Sequence, residues 1–293
     1  MPTTYAHWRF GEYALRGLKE DAKKAVTAFR ALYDIGAQGP DVFFHYNCLK
    51  SNEVTRFGTK MHETPMIRHL ERFGVNYRAE KEDREAMLSY LLGFLSHFTL
   101  DACCHGYIER KAEAEGPSHD KIEAQYDRHL LIGDGLHPYR TSLTASLKPD
   151  AFTARVMARL YGQWDEAIML KSVKDQVFYR NLLRDSSGLK RAFLTAGMKA
   201  AGAQRYLGMM MGPGELPGCV SSNLRLDKLF DLAAARYPSL AENMLAFLDG
   251  TGEPDPFFER DFGPGEDWRS IPLLPPEEEK KFIPGGGEWV FQK

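Results

Sequence analysis

The sequence predicts an all-α protein built as a multi-helix bundle. Apolar residues recur at the three- and four-residue spacing of amphipathic helices through most of the first 250 residues, and no stretch alternates apolar and polar residues strongly enough to predict a sheet. From Thr251 onward Pro and Gly dominate and the helical spacing ends. We therefore expect one helical domain over residues 1–250 and an irregular C-terminal tail, residues 251–293, packed on it or trailing from it.

Gly and Pro residues divide the first part of the chain into helices. One helix is predicted from about Trp8 to Leu32, before the break at residues 36–40. Residues 41–46 are rich in aromatic side chains and follow a proline, so we expect irregular structure there. The next predicted helix begins at Glu63 or Thr64 and ends at Gly74, because glycine commonly follows the last residue of a helix.

The longest predicted helix runs from about Glu82 to Ala114. It is apolar on most sides through its middle, which is typical of a helix buried in a protein core. Gly116 and Pro117 then break the chain, and Ser118 suits the N-cap of a helix that begins at His119.

The remainder of the chain also reads as helices, separated by a loop over residues 212–218. The predicted helices are Pro149–Gln163, Trp164–Arg184, Gly188–Ala201, Leu224–Arg236 and Ser239–Leu248. In the tail, aromatic residues are the candidates for anchoring to the body: Phe257, Phe258, Trp268 and Trp289.

Composition excludes several classes of function. The formal net charge of -2 provides no extended basic patch for nucleic acid, so function must reside in a local site. No uninterrupted run of about 18 apolar residues predicts a transmembrane segment. The N-terminal residues lack the basic and apolar regions of a secretory signal, which favours a cytoplasmic protein. The four cysteines are too few for a disulfide framework and are interpreted as free thiols.

The most informative pattern lies between His97 and Glu123. His97, Asp101 and His105 are spaced at i, i+4 and i+8, so on a helix their side chains form one slowly drifting stripe. His119 and Glu123 repeat the four-residue spacing on the next predicted helix. Imidazole and carboxylate groups are the ligands of hydrolytic zinc sites.

This pattern has two interpretations. A single buried histidine is more often a hydrogen-bonded core residue than a ligand, and a His–Asp pair four residues apart can be a helix ion pair. However, the stripe lies on the most apolar predicted helix, where burying these groups without a compensating ion would be costly. The second pair close behind it favours metal binding.

These residues resemble the ligands of the zinc-dependent phospholipase C family, whose fold is shared by the fungal single-strand-specific zinc nucleases. The resemblance runs from about Thr4 to His129 and includes an ordered set of ligand types. The set consists of His7, Asp41, His62, His97, Asp101, His105, His119 and Glu123.

The resemblance implies two or three zinc ions in the helical domain. Asp41, His62, His97 and Asp101 would hold one ion, and His105, His119 and Glu123 a second. His7 and a bridging Asp101 would hold a third, which in the secreted members also binds an N-terminal Trp that this chain lacks. Asp41 would additionally orient the attacking water as general base. His45, four residues after Asp41, is a further candidate, as a ligand or as a partner of one.

The resemblance implies a metal-dependent hydrolase that splits a phospholipid or a related small phosphodiester by a metal-activated water. Two alternatives remain open at this stage. The protein could be a nuclease- or nucleotidase-like phosphoesterase, against which the near-neutral charge argues mildly. It could also be a non-catalytic helical protein that zinc stabilises.

Overall fold

The computed structural model describes residues 4–184, 188–200, 202, 204–212 and 214–283. This part of the chain is helical and contains no strand, which confirms the predicted all-α fold class. The α-helices are α1 (Thr4–Ala14), α2 (Glu20–Ala28), α3 (Arg30–Gly36), α4 (Glu53–His62), α5 (Met66–Ala79), α6 (Arg84–Glu115), α7 (His119–Gly133), α8 (Ala151–Tyr161), α9 (Glu166–Leu183), α10 (Gly188–Ala200), α11 (Val220–Leu248) and α12 (Pro276–Glu279). Short 3₁₀ helices join several of them, including Gly39–His45, Gln204–Met209 and Pro256–Glu259.

Helix α6 forms the centre of the fold, with α1, α2, α3 and α11 packed around it. Its side chains are buried almost continuously from Ala86 to Ile108, as its apolar sequence predicted. By length and composition α6 could cross a membrane, but 94% of its most apolar window is buried inside the protein. That burial is typical of the core helix of a globular domain.

Helices α3 and α6 approach each other backbone to backbone through two glycines. A Cβ atom at Gly93 would lie 2.2 Å from the carbonyl oxygen of Tyr33, and one at Gly36 would lie 2.2 Å from that of Tyr90. Neither position has room for any side chain. This close crossing brings the segment that follows α3, the 3₁₀ helix Gly39–His45, beside His97 on α6.

The described part of the C-terminal segment returns to the body of the protein instead of leaving it. Phe258 and Phe262 are fully buried, and Phe257 nearly so. The backbone pairs directly with the helical body, since the Met66 N–H donates to the Arg260 carbonyl (2.9 Å) and the Phe262 N–H to that of His62 (3.2 Å). Trp268 is half-buried, and Trp289 lies outside the described residues. The boundary at residue 250 stays a prediction.

Several predicted helix boundaries were wrong. The helix expected over Trp8–Leu32 is divided among α1, a 3₁₀ turn, α2 and the start of α3. Residues 41–46, expected to be irregular, lie largely within the 3₁₀ helix Gly39–His45. Helix α4 was missed, although Asn52 and Thr55 form a capping box at its start, each side chain bonded to the backbone of the other.

Two further boundaries were wrong because tertiary packing overrides a helix-breaking residue. Helix α5 continues past Gly74 to Ala79, with Phe73 and Tyr77 buried on one side. Helix α11 runs through Pro238, where two helices had been expected. The adjacent Tyr237 is fully buried and its hydroxyl donates to the Leu92 carbonyl (2.9 Å), which holds α11 against α6 across the proline.

Candidate metal centre

The stripe on α6 is present as the sequence predicted, with Asp101 at its middle. Asp101 Oδ2 lies 3.0 Å from His97 Nε2, and Asp101 Oδ1 lies 3.4 Å from His105 Nε2. All three side chains are buried. The Asp101 carboxylate therefore lies between the imidazole rings of His97, one helical turn before it, and His105, one turn after it.

His7 brings a third imidazole to the same carboxylate from α1. Its Nε2 lies 3.1 Å from Asp101 Oδ1, and its ring stacks on that of His97 with 3.9 Å between centroids. Asp127 on α7 fixes the start of α1, because its carboxylate accepts the backbone N–H groups of Tyr5 (3.4 Å) and Ala6 (2.8 Å). The interaction sets the position from which His7 reaches the centre.

Asp41 and His62 lie on the side of His97 away from His105 in the sequence and form a second cluster with it. Asp41 Oδ1 lies 3.0 Å from His62 Nε2, and both groups share the neighbourhood of His97 Nε2. The 3₁₀ helix Gly39–His45 presents Asp41, and the last residue of α4 is His62. Thus the two segments on either side of residues 46–52 each contribute one group.

Three of these imidazoles are oriented by backbone carbonyls. The Nδ1 atoms of His62, His97 and His105 lie 2.8 Å, 3.3 Å and 2.5 Å from the carbonyl oxygens of Gly58, Ala37 and Phe262. A carbonyl oxygen only accepts hydrogen bonds, so each Nδ1 carries a proton and each Nε2 is the ring nitrogen that remains to face the carboxylates. This is the arrangement that fixes the tautomer of a metal-binding histidine.

His119 and Glu123 form the second part of the centre, on α7. His119 Nε2 lies 2.9 Å from Glu123 Oε1, and His105 Nε2 lies 3.5 Å from the same oxygen. His119 Nδ1 is bonded to Glu109 on α6 (2.7 Å). Burial alone would lower the pKa of His119, but Glu123 and Glu109 raise that pKa to about 9.

The two aspartates of the centre are held in their charged form. Burial alone would raise the pKa of the Asp101 carboxyl, but the imidazoles of His105, His97 and His7 hold it well below its usual range. The pKa of Asp41 is lowered as well, because His97 and His62 outweigh the effect of its burial. The centre thus holds buried carboxylate charge among imidazole rings.

The donor atoms fit bound zinc. Within the described residues, Nε2 of His62, His97 and His105 has no hydrogen-bond partner, and neither has Oδ1 of Asp41 or Oδ2 of Asp101. Such buried polar atoms are costly unless something binds them. The separations of 3.0–3.4 Å between imidazole nitrogens and carboxylate oxygens are also suitable, since atoms bound at 2.0–2.1 Å to one tetrahedral zinc ion are about 3.3 Å apart.

The eight sequence-predicted residues all fall into three groups that could each hold an ion. The groups are His7, His97 and Asp101; Asp41, His62 and His97; and His105, His119 and Glu123. His97 belongs to two groups, a sharing that the spacing had not predicted. The number of ions and the ligand role of each residue stay predictions.

The groups that contact the predicted ligands and that sequence reasoning missed include Glu109 and the carbonyl of Phe262. Glu109 continues the stripe of His97, Asp101 and His105 by four more residues, so the same spacing could have found it. His45 is not in any of the three groups. Its Nδ1 donates to the Asp41 carbonyl (3.1 Å), and burial together with Arg180 lowers its pKa to about 4, so it is a neutral support of the Asp41 backbone.

Gly39 offers a direct test of how tightly the centre is packed. Its φ is +52°, and a Cβ atom there would lie 2.4 Å from the His97 ring. We expect Gly39→Ala to displace His97, to reduce the zinc content and to lower the melting temperature. The matched control is Gly135→Ala, whose φ of +71° imposes similar strain, about 1 kcal/mol or more, but whose Cβ would meet open space. Equal zinc content in both variants would contradict this interpretation.

A cleft of about 320 Å³ lies beside the centre. Phe44 lines the cleft and stacks on His62 with 4.9 Å between ring centroids, while Asp120, next to His119, lines it on the α7 side. Exposed Lys50 and Arg56 contribute positive charge to the same cleft. The cleft therefore borders the candidate centre through Phe44 and Asp120, and its lining residues do not include the eight candidate ligands.

Comparison with known proteins is consistent with this geometry. Searches of curated proteins and of solved structures found no match. A scan against models of protein families matched residues 6–164 to the zinc dependent phospholipase C family. The match covers more than half of the 293 residues and includes all eight candidate ligands. The chain belongs to the zinc-dependent phospholipase C family.

Proposed function

We propose that the protein hydrolyses the phosphodiester bond of a phospholipid, releasing diacylglycerol and a phosphorylated headgroup. Family membership supports a zinc-dependent phosphodiesterase, and the phospholipid is the substrate on which that family acts. The observation that carries the proposal is the set of carbonyl-oriented imidazoles, whose Nε2 atoms face Asp41 and Asp101 without hydrogen-bond partners in the described part of the chain.

Zinc held by the three groups would lower the pKa of water toward neutrality and neutralise charge on the phosphate. The protein's own contribution is to position these ligands rigidly. Carbonyl bonds fix three imidazoles, the Glu109 carboxylate fixes His119, and Asp127 fixes the helix that carries His7. Asp41 is buried and the pKa of its carboxyl is lowered, so it would be available to accept a proton from an attacking water as general base.

The adjacent cleft supports a small anionic substrate. Lys50 and Arg56 can attract a phosphate group and neutralise it during attack. The cleft volume of about 320 Å³ lies at the lower end of the usual range for small-molecule sites. Its aromatic residues, Phe44 and Tyr206, can pack against the glycerol or headgroup portion.

Metal removal provides the first test of the proposal. Chelation is expected to abolish hydrolysis and to lower the melting temperature, because it leaves buried carboxylates and imidazoles uncompensated. Zinc should restore both properties, and calcium should not, since imidazole nitrogen is a poor ligand for calcium. Activity that survives complete removal of zinc, confirmed by elemental analysis, would contradict the proposal.

A substrate panel provides the second test. Phosphatidylcholine, a soluble aryl phosphodiester and 3′-nucleotides should be compared with the same zinc-loaded preparation. Phosphatidylcholine is expected to be cleaved best. Preference for 3′-nucleotides would favour a nucleotidase, and absence of turnover with tightly bound zinc would favour a non-catalytic, zinc-stabilised protein.

A further inference from the structure

Helix α10 has an unusual distribution of residues: the face turned to solvent is its apolar face. The exposed positions Leu189, Ala192, Phe193, Ala196, Gly197 and Ala200 follow the i, i+3, i+4, i+7 spacing of one side of a helix. The two large members, Leu189 and Phe193, are 72% and 76% exposed. In a globular protein an amphipathic helix normally directs this face inward, so its outward orientation requires a partner.

The charge around this face is strongly biased. Residues 186–214 contain four basic residues and no Asp or Glu, in a chain whose net charge is -2. Lys199 is exposed on the flank of the apolar face, while Lys190 and Arg191 bond to backbone carbonyls on the other side of the helix. A helix is only about 10 Å wide, so all three basic groups would lie within about one Debye length of any surface that α10 contacts. Salt would therefore only partly screen their attraction to a negatively charged surface.

The outward face also connects to the cleft. The 3₁₀ helix Gln204–Met209, which follows α10, contributes Tyr206 and Met209 to the cleft lining. The Tyr206 hydroxyl donates to the Cys48 carbonyl (2.8 Å), which links this segment to the opposite rim. Leu49 lies between the lining residues Cys48 and Lys50 and is a further exposed apolar side chain, with 70% of its surface accessible.

We propose that the outward face of α10 docks on the surface of an anionic phospholipid bilayer, with Leu189 and Phe193 inserted and the neighbouring basic residues facing the headgroups. An apolar face flanked by positive charge is the pattern of helices that lie in the membrane interface. The choice of partner rests on the proposed function, because a phospholipid substrate is supplied by a bilayer. Docking in this position would place the entrance of the cleft close to the lipid headgroups.

The test measures sedimentation of the zinc-loaded protein with vesicles of phosphatidylcholine, alone and mixed with phosphatidylserine. The wild-type protein should bind the mixed vesicles more tightly, and salt should weaken this binding. The double variant Leu189→Ser/Phe193→Ser should lose at least about tenfold in affinity for the mixed vesicles. The variant Lys199→Glu should lose part of the preference for vesicles that contain phosphatidylserine. The matched control is Val75→Ser, which removes an apolar side chain that is 62% exposed on α5 and should bind like the wild type.

Unchanged helicity and zinc content would show that the variants are folded. The proposal is overturned if the wild-type protein does not bind mixed vesicles, or if the double variant binds as well as Val75→Ser. A dimer that the double variant abolishes, without vesicle binding, would identify a second copy of the chain as the partner and also overturn it. Sedimentation needs no turnover, so a protein that binds vesicles but cleaves no phospholipid would contradict only the proposed function.

Discussion

Replacement of Asp101 with asparagine is expected to remove zinc and to lower kcat by about three orders of magnitude. The Asp101 carboxylate lies within 3.5 Å of the Nε2 atoms of His7, His97 and His105. Asparagine keeps the size of the side chain but removes its charge, and its NH₂ group would donate to an imidazole nitrogen that a metal needs. Removal of a residue that only supports a metal ligand typically lowers metal affinity or activity by about 10–100-fold. Removal of the shared carboxylate itself should lower both by more.

The measurements are zinc content by elemental analysis and kcat on the best substrate of the panel. The control is Glu113→Gln, the same carboxylate-to-amide change on the same helix. Glu113 pairs with Arg269 at the surface (3.0 Å) and lies outside the centre. If Asp101→Asn bound as much zinc as Glu113→Gln, the central role assigned to Asp101 would be wrong.

Replacement of Phe262 with alanine is expected to lower both stability and zinc affinity. The Phe262 ring is fully buried, and its centroid lies 5.3–5.8 Å from the rings of His62, His97 and Phe98. Truncation of such a phenylalanine typically costs about 3–5 kcal/mol, which should lower the melting temperature by about 10 °C in a chain of this size. The resulting cavity also loosens the backbone whose carbonyl orients His105.

Phe258→Ala separates these two effects. Phe258 is equally buried in the same segment, and its ring packs against Phe98. Both variants should lose comparable stability in thermal unfolding. Only Phe262→Ala should also lose zinc to a competing chelator at a temperature where both proteins are folded. Equal zinc loss in the two variants would show that the Phe262 backbone has no specific role.

Regular spacing made much of the centre predictable. His97, Asp101 and His105 could be placed on one side of a helix because each step of four residues nearly completes a turn. The same regularity located both ends of α6 to within two residues, and the break at Gly116 and Pro117 placed the start of α7 at His119. Asp41 and His62 carry no such local pattern, and only the resemblance to a known family connected them with α6.

Groups that act through the backbone could not be predicted. The Phe262 carbonyl supports His105, but every residue has a carbonyl, so nothing in the sequence distinguishes this one. Likewise, the positive φ of Gly39 and its contact with His97 depend on how α3 crosses α6. Pro238 shows the converse, since a strong local signal for a helix end was overruled by the burial of Tyr237.

The support that Phe262 gives to His105 has a consequence for the order in which the protein matures. The two residues are 157 positions apart, whereas all eight candidate ligands precede residue 124. A chain emerging from the ribosome therefore displays every side chain of the centre long before the carbonyl that orients His105 is synthesised. Closing so long a loop is slow, so we expect the His105 group to acquire its final affinity for zinc late in folding, after the other two groups have formed.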